Sequence, residues 1–167
     1  MLQLRDLPTP EILDKFADRY PDADVTAISG FLYLLRVATD LSLALDACLS
    51  KHDLLQGRWW VLILLMREES GISTPSILAD KLGVKRASMT GLLDGLEQHG
   101  LVTRVFAKED RRSVKIQLTS AGQAKLDVVM PDYYRRLRQC MQALDEDKRV
   151  QLQQLLGIIH KGIPALI

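Results

Sequence analysis

A chain of 167 residues with 47% hydrophobic residues can bury a real core, and its 22 Lys/Arg against 21 Asp/Glu leave a net charge of +1. That balance excludes bulk charge as a basis for binding nucleic acid, and the opening residues MLQLRDLPTP lack the apolar run of a secretory leader, so a cytoplasmic protein is expected. Cys48 and Cys140 stand far apart in apolar helical patterns without metal-ligand spacing, which excludes a disulfide framework and predicts two buried, reduced thiols.

In chain order, Thr9-Pro10-Glu11 places a capping hydroxyl, a proline and an acid at a helix start, and Ile12 and Phe16 carry the pattern to about Tyr20. Pro21 ends it. Val25 to Leu49 is apolar nearly all round, with Arg36, Asp40 and Asp46 as its only charges. A membrane span would have to hold those ionised groups at roughly 2.5–3.5 kcal/mol each. A helix buried on several sides is therefore predicted, with no membrane partner. Arg36 and Asp40 are four apart, the spacing of a pair on one helical face. Asp53 to Glu68 reads as the next helix, and its adjacent Trp59 and Trp60 point about 100° apart. One indole is expected in the core and the other on a groove wall; the alternative is that both are packing residues.

Gly71-Ile72-Ser73 is a short connector able to pair with a later hairpin. Thr74 and Pro75 then open a helix through Ile77, Leu78 and Leu82; Gly83 supplies a left-handed turn, and Val84 restarts an apolar pattern through Leu92, Leu93 and Leu96. Ala79 lets the two helices cross closely, as a helix-turn-helix requires. His99-Gly100 closes the second helix. LVTRVF and VKIQL are strand-like and flank the charged segment AKEDRRS, which makes the unit a winged helix. Thr119 caps a helix carrying Leu126, Val129, Met130, Tyr133, Leu137, Met141 and Leu144, and Asp145 caps a last one with Leu152, Leu155, Leu156 and Ile159 on a stripe. These stripes exceed what one small reader can cover, so a second copy of the chain is expected. From Lys81 to Leu118 there are eight Lys/Arg against four Asp/Glu; the remainder holds 14 basic and 17 acidic residues. The basic excess sits on the winged helix, where phosphate contact would need it.

Leu101-Val102 after Gly100, then Asp110-Arg111-Arg112-Ser113, then Leu118-Thr119-Ser120-Ala121-Gly122 resemble the signature of the MarR (multiple antibiotic resistance regulator) family, over roughly Leu54 to Leu126. The resemblance implies a fold that is mainly α with a small β wing, a winged helix-turn-helix flanked by N- and C-terminal dimerisation helices. The implied division is 1–53 for N-terminal helices serving dimerisation and a pocket wall, 54–119 for the DNA-binding domain, and 120–167 for C-terminal dimerisation helices. It also implies a homodimeric regulator, usually a repressor, that binds palindromic double-stranded DNA and releases it to a small aromatic or phenolic effector.

Lys85, Arg86, Ser88 and Thr90 are the candidates for the major groove, with Arg86 reading bases and Lys85 on phosphate. For Thr90 the alternative is a hydroxyl bonded to its own helix. By resemblance Arg112 is a minor-groove finger braced by Asp110, and Lys108 and Arg111 contact phosphates; the alternative is that Asp110 and Arg112 only stabilise the hairpin. Gly91 and Gly95 stand where many relatives carry basic residues, and their spacing suggests a close approach to DNA backbone or another helix. Arg36, Asp40, Trp59 and Trp60 are the candidate ligand pocket. No cofactor and no enzymatic activity are expected, since there is no G-x-S-x-G elbow or phosphate loop, and His52, His99 and His160 stand alone. The alternatives are a winged helix used only for protein contacts, and a redox- or metal-responsive regulator.

Overall fold

The computed structural model describes residues 6–106 and 114–167. Among these, α1 (Pro10–Arg19) and α2 (Val25–Ser50) come first, and the Asp24 carboxylate accepts from the Thr26 and Ala27 amides at 2.9 and 3.0 Å to start α2. In α1 the residue that goes inside is Leu13, while Ile12 and Phe16 of the predicted stripe stay exposed. Within one chain the expected burial of α2 is not reached: only Cys48 and Leu49 at its C-terminal end are buried. Phe31, Tyr33, Leu35, Leu41 and Leu43 are exposed, because within one chain α1, α3 and α6 cover only part of this helix.

Between α2 and the next helix, the Leu54 amide donates back to the Leu49 carbonyl at 3.2 Å, and Asp53 takes a left-handed backbone with φ 52°. That conformation cannot continue a helix. Accordingly α3 (Gln56–Met66) begins three residues later than the pattern suggested. It is the centre of the core, with Trp59, Val61, Leu62, Ile63, Leu64 and Leu65 buried.

The predicted third strand is present. β1 (Ile72–Ser73) pairs antiparallel with β3 (Val114–Leu118), which pairs with β2 (Val102–Phe106), giving the order β1-β3-β2. Between β1 and β2 lie α4 (Pro75–Leu82) and α5 (Arg86–Gln98). Thr74 caps α4 by accepting from the Ile77 amide at 3.3 Å, and Gly83 turns the corner at φ 64°, as expected of each. Leu78 and Ala79 of α4 and Met89, Leu93 and Leu96 of α5 complete the core with Val102, Ile116, Leu126 and Val129.

After the sheet come α6 (Ser120–Met141), which runs through Pro131, and α7 (Glu146–Gly162), capped by Asp145 at 2.9 Å to the Lys148 amide. A short 3-10 turn, Ile163–Leu166, follows. No residue of α7 is buried, and its stripe of Leu152, Leu155, Leu156 and Ile159 is exposed.

The Leu-Thr-x-x-Gly run has a clear physical basis. The Thr119 hydroxyl donates to the Gly100 carbonyl at 2.7 Å and accepts from the Gly122 amide at 3.0 Å, so one side chain ties the end of α5 to the start of α6. Gly122 lies so close to the Leu101 carbonyl that a Cβ would overlap it. The wing, the reader helix and α6 are thereby locked at one corner.

A second link joins the α2–α3 turn to α6. The Asp132 carboxylate takes Arg136 Nε at 2.9 Å, lies 3.2 Å from His52 Nε2, and pairs with Arg135 as well. The Arg136 hydrogen bond first, then those of His52 and Arg135, hold its carboxyl well below the usual carboxylate range. A depressed folded-state pKa stabilises the fold fully above the unfolded value near ~3.9 and loses that contribution as pH falls toward the folded value. Asp132→Asn is therefore expected to melt below wild type at pH 7, with the gap closing as the pH is taken from about 5 down toward 2. Melting scans across that range check it, and a gap independent of pH would remove Asp132 from the acid-labile set.

Candidate nucleic-acid interface

The N-terminal turn of α5 is uncapped. Lys85 occupies the N-cap with no side-chain hydrogen bond to the helix, so among the described residues no side chain satisfies the first amides of α5, which lie at the positive end of the helix dipole. Lys85, Arg86, Ser88 and Thr90 are all exposed, whereas Met89 between them is fully buried and anchors the turn. Thr90 donates its hydroxyl to the Arg86 carbonyl at 3.1 Å, the helix-internal bond that was its alternative reading.

The structure also sorts the basic residues that the charge count lumped together. Lys81 pairs with Glu68 at 2.5 Å; Arg104 on β2 pairs with Asp94 at 2.6 Å and Glu97 at 2.5 Å. Those contacts, the Asp94 hydrogen bond foremost, raise the Arg104 pKa above its ordinary value. Arg104 thus clamps the C-terminal half of α5 to the sheet and neutralises two acids of the reader helix. Among the described residues of this region, Lys85, Arg86 and Lys115 remain without an ion pair. Free cations are what phosphate recognition uses, because a paired one must first give up its carboxylate. The Arg104 clamp was missed from sequence, although two acids three apart on a helix face followed by an arginine on the next strand are its trace.

The two reader-helix glycines differ. Nothing lies within 4 Å of where a Cβ would stand on Gly91, which leaves an open, exposed backbone on the reader. At Gly95 a Cβ would overlap the guanidinium of Arg58 on α3. The reciprocal contact is Leu92 against Gly57, at 2.9 Å from its hypothetical Cβ. Two glycines, one on each helix, set how closely α5 packs on α3.

The wing-tip candidates Lys108, Asp110, Arg111 and Arg112 lie outside the described residues. Of the four pocket candidates, Arg36 and Asp40 bind each other, Nε to carboxylate at 2.7 Å, on an exposed stretch of α2. Trp59 is 1% exposed and Trp60 37%, so the two indoles divide into one core and one partly exposed ring. Trp59 has its ring centroid 4.5 Å from that of Trp60 and 4.9 Å from that of Tyr133, and its Nε1 is buried without a hydrogen-bond partner among the described residues.

None of the four lines the cavity of about 440 Å³ between α2 and α6, whose walls include Leu41, Leu45, Cys48, Tyr133, Arg136, Leu137 and Cys140. Cys140 is exposed rather than buried as expected, because the end of α6 lacks a cover within the chain. Two cysteines 92 positions apart thus face one cavity, which sequence spacing does not reveal. Among the described residues, no three His, Cys, Asp or Glu side chains gather in metal-binding range.

A helix-turn-helix leading directly into a hairpin, with free cations on its second helix, defines a winged helix of the reader type. The family model for the MarR family matches residues 52–113. The chain is 31% identical over 160 residues to the HTH-type transcriptional regulator PecS of Dickeya dadantii (strain 3937), covering 95% of this chain and 96% of that one. It is 27% identical over 162 residues to the HTH-type transcriptional repressor YetL of Bacillus subtilis (strain 168), covering 97% of each. The crystal structure of Sco3205, a MarR family transcriptional regulator from Streptomyces coelicolor in complex with DNA, superposes with a TM-score of 0.71 at 19% identity, a likeness of fold that spans 94% of both chains. The chain belongs to the MarR family, whose members are transcriptional regulators rather than enzymes.

Proposed function

We propose that this chain is a cytoplasmic, homodimeric repressor that reads a palindromic DNA operator and is released from it by a small aromatic or phenolic ligand. The observation that carries the reading is the exposed N-terminal turn of α5, where Lys85, Arg86 and Ser88 stand beside free helix amides. Arg86 donates to guanine acceptors in the major groove, Lys85 and Ser88 hold phosphates, and Thr90 contributes only if it gives up its bond to the Arg86 carbonyl. Lys108, Arg111 and Arg112, with Asp110 as brace, extend the footprint from the wing.

Residues 54–119 do the reading, while 1–53 and 120–167 hold two copies together. The exposed apolar faces of α1, α2 and α7 support that division, since a monomer rarely leaves so much apolar surface to water. Dimerisation also sets the distance between two α5 helices, which must meet half-sites about 34–36 Å apart. The α2–α6 cavity suits an aromatic effector: its walls are mostly apolar, Arg136 is among them, and Tyr133, also on the lining, meets Trp59, which meets Trp60, in tilted ring contacts. The Arg36–Asp40 pair lies on the α2 that forms one wall. A ligand there releases DNA only by binding better to a dimer whose readers are wrongly spaced.

The test is salt dependence on duplex DNA together with sedimentation. A particle of about twice 18.8 kDa is expected, with log affinity falling linearly in log salt by about 0.9 per phosphate contacted, and the slope shrinking by about one in Arg111→Ala. Binding that ignores salt supports the alternative of a winged helix used for protein contacts.

A further inference from the structure

Behind the reader helix, at its far end, lies a small cavity of about 270 Å³ with apolar walls and a few charged side chains, which the DNA-binding reading does not use. Its lining includes Arg58 of α3, Lys125 of α6, His99 at the end of α5, and Asp53 in its left-handed turn. Among the described residues, Arg58, Lys125 and Asp53 have neither a side-chain hydrogen bond nor an ion pair. This contrasts with Arg104 nearby, which holds two carboxylates. Arg58 and Lys125 are both half-buried, so their charges are partly removed from water without compensation. The guanidinium lies on the bare Cα of Gly95, a position that any larger residue there would close. His99 donates its Nδ1 proton to the Gly95 carbonyl, 2.7 Å away, which fixes the ring at the edge of the cavity.

We propose that this cavity is a binding site for a compact oxyanion, a small molecule bearing a carboxylate or phosphate group. Arg58 supplies the planar fork that takes two oxygens at once, and Lys125 adds a second charge. Asp53 is the single acid on the lining; against Arg58 and Lys125 it limits the formal charge of these three to +1, which suits one oxyanion group and not a polyanion. The volume, slightly under the usual range for ligand pockets, also selects a small guest. DNA is not the occupant: Gly95 lies nine residues beyond Arg86, about 13 Å along α5 and half a turn around it.

The test is titration calorimetry on the full chain, free of DNA, with sodium phosphate and sodium succinate, each compared with sodium chloride at equal ionic strength. Saturable binding of at least one probe is expected. Arg58→Gln should weaken it about tenfold or more and Lys125→Gln by a smaller factor, with melting midpoints in chloride confirming that each variant is folded. The Lys85→Ala/Arg86→Ala double variant should bind the probe as wild type does, which separates this site from the reader turn and from any failure of DNA binding. The stronger probe assigns phosphate or carboxylate. No saturable binding, full retention in both Arg58→Gln and Lys125→Gln, or loss in the reader double variant would overturn the proposal.

Discussion

Arg86→Ala is expected to weaken binding to a cognate duplex by about 5- to 150-fold, the equivalent of roughly 1–3 kcal/mol for one good arginine–guanine contact. The side chain is exposed and makes no ion pair among the described residues, so the fold should be untouched. Specificity should relax at the base pair that Arg86 reads, whereas Lys85→Ala should lower affinity evenly across sequences and flatten the salt slope. Fluorescence anisotropy with matched and mismatched duplexes distinguishes the two patterns. Wild-type affinity and specificity in Arg86→Ala would move base reading away from the first turn of α5.

Gly122→Val should cost about 3 kcal/mol of stability, the upper end for a side chain forced into a packed position. The new atoms meet the Leu101 carbonyl, which is backbone and cannot swing aside, and would press on Leu118 Cδ1 at 2.7 Å from Cβ. Denaturant unfolding measures the effect. The contrasting substitution is Gly91→Ala, also helical, where open space surrounds the new methyl. That change should stabilise by about 0.5–1 kcal/mol through helix propensity. If DNA backbone comes close to Gly91, the same variant loses DNA affinity while gaining stability, an outcome that clash within the protein cannot produce.

What was legible from sequence follows from where local rules operate. Thr74, Gly83, Thr119 and Asp145 were assigned as caps or turns because a hydroxyl, a carboxylate or an absent Cβ acts on its own neighbours, and each does so. The β1-β3-β2 sheet was legible for a similar reason, since two strand-like runs around a charged tip leave one edge for Ile72 and Ser73. Packing between elements was not. The burial of α2 was overestimated because an apolar helix reads the same whether its cover comes from its own chain or from another. Asp53 was placed inside a helix because an aspartate in a left-handed turn leaves no periodic signal. The Arg58–Gly95 contact and the meeting of Cys48 with Cys140 at one cavity join residues 37 and 92 positions apart, beyond the reach of any local pattern.

Selection of bound duplexes from a random DNA pool tests the central claim most directly. The account predicts enrichment of an inverted repeat whose half-site centres lie about 10–10.5 base pairs apart, the spacing at which two α5 helices meet successive major grooves on one face. Failure to enrich any sequence, from protein shown to be folded and dimeric, would contradict it.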